Sequence, residues 1–244
     1  MRYLNYICFF VAVLTVTSCN KSSPDCFKKA GKDSKLERVL TPFKVVQLET
    51  NIEVTIVKGA DYKVEIFGGQ NLLEKVKTSV DSGTLIIDNG NGCNFVRGYD
   101  DPIKITITSP RFERVITNSV GKINTLPDFQ QDTMFFSSEG GDVLIQGNYI
   151  ELKTSSHGNG NVYFKGTSSK MYVYMNGTNY LYAEDGTILN YIFVETVSLA
   201  DAYITAPTNG IFEYHIWKTG NIYYKGNPAS VNGKSEKTGI AIKK

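Results

Sequence analysis

A short β-strand pattern returns about every twenty residues between residues 112 and 226, and this periodicity constrains the fold more than any other feature of the chain. Each copy alternates apolar and polar residues over about four positions, and most copies follow Gly, Asn, Ser or Thr. One such coil cannot bury its own apolar face, whereas stacked coils bury it for one another. The repeat therefore predicts an all-β solenoid. The copies are DVLIQG, NVYFKG, NYLYAED, DAYITAP and NIYYKG, from Asp142, Asn161, Asn179, Asp201 and Asn221, after a weaker KINTLP from Lys122.

The alternation within each copy predicts which side chains face the core and which face outward. The first apolar position of each copy is expected to point inward, at Ile123, Val143, Val162, Tyr180, Ala202 and Ile222. An outward column is then expected at Leu144, Tyr163, Leu181, Tyr203 and Tyr223, with a strand spacing of about 4.8 Å. An apolar column on an outer face is typical of an interface or binding groove. The alternative is that tyrosine simply suits strand surfaces and stacks on its neighbours.

Residues 36–110 precede the coils. Apolar and polar residues alternate there too, and this alternation predicts further strands. A turn at 57–61 separates the first strand from a return strand, and Asn71 is expected to cap a single helical turn. The domain boundaries that follow are 36–110 for these strands, 111–228 for the coils and 229–244 for a C-terminal cap. The predicted strands centre on 52–56, 62–66, 84–88 and 103–107.

Residues 1–18 resemble an export signal, with Arg2 ahead of an apolar run from Tyr3 to Val16. That run of about 14 residues is short for a membrane-spanning helix, which needs about 20. It ends in Val-Thr-Ser-Cys, which resembles a bacterial lipobox and makes Cys19 the predicted lipidated residue. The alternative is an ordinary cleaved signal. Residues 19–35 lack apolar periodicity and predict a tether between lipid and domain.

Cys26 and Cys93 are the remaining cysteines of the predicted mature chain. In an oxidising envelope compartment they could form a disulfide that pins the tether to the fold. Two free thiols are the alternative.

The order of these segments resembles the putative auto-transporter adhesin head domain family. The resemblance covers about residues 36–244 and rests on FKVVQLETNIEVTIVKG, NLLEKVKTSVDSGTLII, IKITITSP and the glycine-spaced coils. It implies a right-handed parallel β-helix in one head domain of a bacterial envelope lipoprotein, without an invariant catalytic residue. The Gly-x-Gly step is clear at 158–160 but degraded at 140–141, 177–179 and 199–201, where we expect irregular coil geometry.

The sequence contains little that is typical of a catalytic or metal-binding site. Its two histidines, His157 and His215, are far apart and lack a zinc motif, and Glu139-Gly-Gly-Asp142 is a single partial calcium repeat. Enzymes built on β-helices use carboxylates on neighbouring coils. We expect solvated turns rather than a catalytic centre for these acids, and therefore no enzyme, no metal and no cofactor. The candidate acids are Glu184, Asp185, Glu195 and Asp201.

Charge and composition limit the partners. The formal net charge is only +2, which offers no electrostatic case for nucleic acid. No arginine follows Arg114, so the coils lack the residue best suited to phosphates and carboxylates. We therefore expect a protein anchored through lipid at the outer membrane or cell surface, with a binding or adhesion role toward a surface glycan or protein. A self-associating structural solenoid, with a homodimer through the outward column, is the alternative, and a carbohydrate-active enzyme is a weaker one.

The lipobox interpretation makes a direct prediction about Cys19. Cells fed a fatty-acid analogue should label the wild-type protein and leave Cys19→Ser unlabelled, because the thiol is the attachment point. Equal labelling of the two proteins would contradict the interpretation.

Overall fold

The chain folds into two β-sheets that enclose one apolar core. The computed structural model describes residues 29–91 and 103–244, where stacked parallel coils form an all-β solenoid of about six turns. The all-β solenoid prediction is confirmed. The predicted signal peptide 1–18, the lipidation site Cys19 and the cysteines Cys26 and Cys93 lie outside the described residues.

Within the described residues, the first sheet contains eleven strands. In spatial order they are β1 (Asp33–Val39), β4 (Lys63–Gly69), β7 (Lys104–Ser109), β3 (Glu53–Lys58), β9 (Lys122–Thr125), β11 (Val143–Ile145), β13 (Val162–Phe164), β15 (Leu181–Ala183), β17 (Ala202–Thr205), β19 (Ile222–Lys225) and β21 (Ala241–Lys243).

The second sheet contains ten strands in the same part of the chain. In spatial order they are β20 (Ser230–Ser235), β18 (Ile211–Ile216), β16 (Thr187–Ser198), β14 (Thr167–Gly177), β12 (Asn148–Gly158), β10 (Gln130–Ser138), β8 (Arg114–Thr117), β2 (Val45–Leu48), β6 (Thr84–Asn89) and β5 (Val76–Asp81). From β8 onward, each coil gives one strand to each sheet, and neighbouring coils pair in parallel. The last two strands, in the predicted C-terminal cap 229–244, continue both sheets.

An inward ladder of side chains runs through the first sheet and is fully buried. Its paired members are Ile123, Val143, Val162, Leu181, Ala202 and Ile222. The prediction was right at five of these positions and wrong at Tyr180, because Leu181 takes the inward place. The coil from Val162 to Leu181 is nineteen residues long, like the coil before it. Asn179 therefore occupies the turn position that Gly160 holds in the preceding coil.

The N-terminal strands form as predicted, but their pairing differs from a simple hairpin. β4 is the predicted return strand after β3, yet it pairs antiparallel with β1 and β7. β7 lies between β3 and β4 and pairs in parallel with β3. β1 begins at Asp33, so the folded chain starts slightly before the predicted tether boundary at residue 35.

The predicted helical turn is α1 (Gln70–Leu73), which buries Leu72 and Leu73. The predicted cap is wrong, because Gly69 is the N-cap residue and Asn71 lies inside the turn. Asn71 instead donates its Nδ2 hydrogen to the Lys29 carbonyl at 3.0 Å. Across the described ranges, no helix has the length and apolar character needed to cross a membrane.

The predicted irregularity at the degraded Gly-x-Gly steps does not appear as a break in the first sheet, since β11, β13, β15 and β17 stay in register. The register instead shifts in the second sheet, between Ser168 and Lys170, where β16 carries one extra residue opposite β14. The parallel register of the first sheet is therefore kept at the turns where the Gly-x-Gly step is incomplete.

Glycines at the turns allow successive coils to approach within backbone contact. A Cβ atom added to Gly141 would lie 1.8 Å from the Gly121 carbonyl oxygen, and one added to Gly160 would lie 2.3 Å from the Gly141 oxygen. The neighbouring Gly140 is different, because its Cβ would meet only side-chain atoms, at 3.5 Å and 3.6 Å. Only the second glycine of this pair is required by the stacking.

This difference makes a prediction from two adjacent substitutions. Gly141→Ala should lower the unfolding free energy by about 3 kcal/mol or more, because backbone must move to admit the methyl group. For a domain of this size, that corresponds to a fall in Tm of roughly 6–12 °C. Gly140→Ala is the control and should melt close to wild type. Equal melting of the two variants would contradict the close approach at Gly141.

Candidate functional site

Four tyrosine rings stack along the outer face of the first sheet, one from each of the strands β13, β15, β17 and β19. We call Tyr163, Tyr182, Tyr203 and Tyr223 the tyrosine column. Their centroids are 5.1, 5.6 and 5.3 Å apart in that order, and the planes of neighbouring rings differ by 14°, 4° and 11°. The parallel pairing in register brings equivalent side chains of successive coils together. Leu144 of β11 continues the column by one strand.

The structure places the predicted outward residues Leu144, Tyr163, Tyr203 and Tyr223 in this one column. It contradicts the prediction for Leu181, which is fully buried, and puts Tyr182 in its place. Asn179 resembles the first residue of a repeat copy and shifted the predicted register of this coil by one residue, whereas counting nineteen residues from Tyr163 leads to Tyr182. The further step, that the column is a binding surface, stays a prediction.

A ladder of side-chain hydrogen bonds runs along one flank of the tyrosine column. Asp142 accepts from the Asn161 backbone N–H at 2.8 Å, and Asn161 accepts from the Tyr180 N–H at 2.9 Å. Asp201 likewise accepts from the Asn221 N–H at 2.7 Å, and Asn221 from the Ile240 N–H at 3.1 Å. An Asp or Asn at this turn position thus joins four of the coils to the coil that follows.

Tyr180 interrupts this ladder, because its side chain carries no carbonyl oxygen to accept the next backbone N–H. Its ring instead stacks on Tyr182 at 5.8 Å, with 16° between the planes. The two rings are 37% and 36% exposed, so they are the most open aromatic pair on this face. In this coil, an exposed aromatic ring occupies the position that Asn161 and Asp201 hold in the two neighbouring coils.

The other flank of the column is charged. Lys165 pairs with Asp185 at 3.5 Å, and Lys225 pairs with Glu184 at 3.0 Å. Lys244 places its Nζ 4.8 Å from the centre of the Tyr203 ring and 4.7 Å from that of Tyr223. An apolar, aromatic centre between two polar flanks is the composition of a protein interface.

The stacking decides which parts of the rings a partner could reach. Neighbouring rings lie nearly parallel at about 5 Å, so each ring covers much of its neighbour's face. Ring edges and hydroxyl groups therefore point to solvent. Two hydroxyls have polar neighbours, since Tyr203 donates to Asp201 Oδ2 at 3.5 Å and Tyr163 accepts from Asn161 Nδ2 at 3.4 Å. The column thus offers a row of hydroxyl groups on an apolar base.

Stacking also changes the acidity of two hydroxyls. Burial among neighbouring rings raises the pKa of Tyr182, and the nearby Tyr163, Tyr180 and Asp201 raise it further. Burial likewise raises the pKa of Tyr203, followed by the negative charge of Asp201. Both groups are therefore neutral hydrogen-bond donors at physiological pH.

The carboxylates considered for catalysis do not converge. Glu184 and Asp185 pair with lysines beside the tyrosine column, and Asp201 accepts a backbone hydrogen bond. Glu195 lies on the second sheet and accepts from Trp217 Nε1 at 2.9 Å. Within residues 29–91 and 103–244, no three His, Cys, Asp or Glu side chains are grouped so that they could hold a metal ion.

The outer face of the second sheet carries a separate set of aromatic and charged side chains that sequence reasoning only partly singled out. His215 lies 3.9 Å from Trp217, between ring centres, and its Nε2 is 3.2 Å from Glu236 Oε1. Tyr191 donates to Glu213 at 2.6 Å. The alternation of β16 and β18 indicates these outward positions, but Trp217 follows the end of β18 and gives no strand signal.

Comparison with known proteins gives a consistent result. A family model described as "Putative auto-transporter adhesin, head GIN domain" matches residues 42–228. The search among curated proteins gave no match. Three solved structures share the fold: a putative adhesin from Bacteroides fragilis, a putative lipid binding protein from Parabacteroides distasonis and a putative adhesin from Parabacteroides merdae.

The similarity to these structures covers most of this chain and nearly all of each of the others. The Bacteroides fragilis adhesin is 19% identical with a TM-score of 0.70, over 87% of this chain and 97% of that one. The lipid binding protein is 16% identical with a TM-score of 0.64, over 88% and 97%. The Parabacteroides merdae adhesin is 18% identical with a TM-score of 0.56, over 88% and 98%. At these identities the similarity establishes the fold alone.

The raised tyrosine pKa values predict a pH dependence. Because the folded state holds the Tyr203 proton more tightly than the unfolded chain, the unfolding free energy should fall as pH rises past the ordinary tyrosine value of 10.0. Asp201→Asn removes the negative charge but keeps an oxygen for the Asn221 N–H. It should lower the Tyr203 pKa, visible as tyrosinate absorbance at lower pH. An unchanged titration curve would contradict the role of Asp201.

Proposed function

The chain belongs to the putative auto-transporter adhesin head GIN domain family, and on that premise we propose that it is a binding protein of the cell envelope whose contact surface is the tyrosine column together with Tyr180. The family and its structural neighbours carry the names of adhesins and a lipid binding protein rather than enzymes, and they support a binding or adhesion role at the cell surface.

The observation that carries the proposal is the interruption at Tyr180. Packing alone accounts for a stacked column, because any parallel solenoid stacks equivalent side chains. It does not account for the loss of the Asp or Asn that joins the other coils at this turn. A buried or partly buried backbone hydrogen bond contributes about 0.5–1.5 kcal/mol. A position that gives up this bond for an exposed ring indicates selection for contact rather than stability.

The exposed tyrosine side chains of the column indicate the class of partner. Tyrosine combines a large apolar surface with a hydroxyl group and few rotatable bonds, so it binds with a low entropy cost. The row of hydroxyl groups suits a polymer that runs along the column, such as a cell-surface glycan chain. No arginine follows Arg114 in the sequence, so the strands that form the column carry none, which favours a neutral glycan at this surface over a phosphorylated one.

Self-association is the second candidate, and the stacking of the rings favours it. Rings that cover each other's faces leave less area for face-on contact with sugars, whereas a flat row of edges suits a second flat surface. A homodimer through the column would then be the functional unit.

Lipid anchoring at Cys19 fits this arrangement and remains part of the proposal. The described chain enters the fold near α1 and continues into β1, at one edge of the first sheet. The tyrosine column begins six strands further along that sheet and ends nine strands along it. At about 4.8 Å per strand, it stands roughly 30–45 Å from the anchored end. An anchored head would therefore present the column away from the membrane.

The test is a pair of tyrosine substitutions on the purified full chain. Tyr182→Ser combined with Tyr203→Ser removes the centre of the column and leaves the inward ladder intact. Tyr174→Ser on the second sheet is the matched control. A glycan array and sedimentation velocity should both be run. We expect the double variant to lose at least tenfold in glycan binding, or to lose self-association, while the control keeps both properties.

Tyr180→Asn provides an independent variant, because it restores the hydrogen-bond acceptor that the other coils possess. It should therefore fold well and still lose binding. If the folded double variant and Tyr180→Asn match wild type in both assays, the column is only packing and the proposal is wrong.

A further inference from the structure

A shallow groove lies on the outer face of the second sheet, on the opposite side of the molecule's core from the tyrosine column. The volume of this groove is about 640 Å³. It crosses β6, β2, β8, β10 and β12. Its lining includes Val45, Gln47, Thr84, Arg114, Phe135 and Lys153.

One column of outward side chains runs along the floor of this groove. In register from strand to strand it contains Thr84, Val45, Arg114, Phe135 and Lys153. Val45 lies directly beside Arg114 in this column. The Arg114 guanidinium carbon lies 4.5 Å from the centre of the Phe135 ring. The aromatic ring thus holds the guanidinium group in a fixed orientation.

The carboxylates around the groove leave Arg114 without an ion pair. Glu113, which also lines the groove, pairs with Lys44 at 3.2 Å and with Arg111 at 3.8 Å. Lys153 pairs with Glu151 at 2.8 Å. Among the residues that the structure describes, no carboxylate forms a salt bridge with Arg114. Its guanidinium donors therefore remain available to a ligand.

We propose that this groove binds the carboxylate groups of an acidic polysaccharide, with Arg114 as the principal contact and Lys153 as the second. A guanidinium group binds a carboxylate through two parallel hydrogen bonds, which is stronger and more specific than a point charge. Arg114 and Lys153 are two strands apart, so roughly 10 Å separates their backbones. A polymer with repeated charges can meet both cations, whereas one small anion cannot bridge them. The groove is independent of the tyrosine column.

Nucleic acid fits the groove less well. A duplex carries one phosphate charge per ~1.7 Å of its axis, and binding it requires many cations along a strand. Here only two cations line the groove, and Glu113 and Glu151 stand beside them. An acidic polysaccharide has a lower charge density and tolerates those neighbouring carboxylates better.

The experiment measures binding of the purified full chain, in detergent, to immobilised polygalacturonate at low ionic strength, with dextran as the neutral polymer. Wild type should bind polygalacturonate and not dextran, and the affinity should fall as salt is added. Arg114→Gln should weaken binding about tenfold or more, since a charge-assisted contact is lost. Arg114→Lys should restore only part of the affinity, because it keeps the charge and loses the planar fork.

Arg111→Gln is the matched control, because it removes the same charge from an exposed arginine outside the groove. It should bind within about twofold of wild type, a difference well below the tenfold step of 1.4 kcal/mol. The proposal is overturned if wild type does not bind polygalacturonate, if the two glutamine variants weaken binding equally, or if duplex DNA competes as well as free polygalacturonate does.

Discussion

The close approach of successive coils at their turns is the constraint on which the rest of the structure depends. At Gly141 and Gly160 the backbone of one coil touches that of the coil before it, with no room for a side chain between them. That approach holds the strands in parallel register, and the register stacks each inward side chain on its equivalent in the next coil. The continuous core follows from this stacking, since no single coil could bury its own apolar residues.

The same register that builds the core also arranges the outer surface. Side chains that share a phase of the repeat must lie in one column, whether or not the column has a function. The fold therefore determines the geometry of the tyrosine column, and the tyrosine side chains determine its chemistry. Tyr180 is informative for a different reason, because it departs from the Asp and Asn residues that join the neighbouring coils. Departure from a structural rule is better evidence of function than agreement with it.

Periodicity predicted most of the solenoid because a two-residue alternation and a twenty-residue repeat are both visible in the chain. The prediction was wrong at Tyr180 and Leu181, because Asn179 resembles the first residue of a repeat copy. The inward position of this coil is instead the residue paired with Val162, which is Leu181. Alternation also predicted β4 and β7 as strands but could not assign their neighbours, because strand pairing depends on contacts distant in sequence. The groove at Arg114 was equally hidden, as its lining comes from five strands between residues 45 and 153.

The two outer faces differ in the charged groups that they expose, and this difference is the reason that we propose different partners for them. The whole chain is nearly neutral, at +2, and that balance predicts no preference for anions. On the folded surface, most carboxylates near the groove form ion pairs with lysine or arginine. Arg114, in contrast, forms no salt bridge with a carboxylate of the described residues. The tyrosine column has no arginine beside it and presents neutral hydroxyl groups. On the two proposals, a neutral partner at the tyrosine column and an acidic polymer at the groove bind independently, because the core separates the two surfaces.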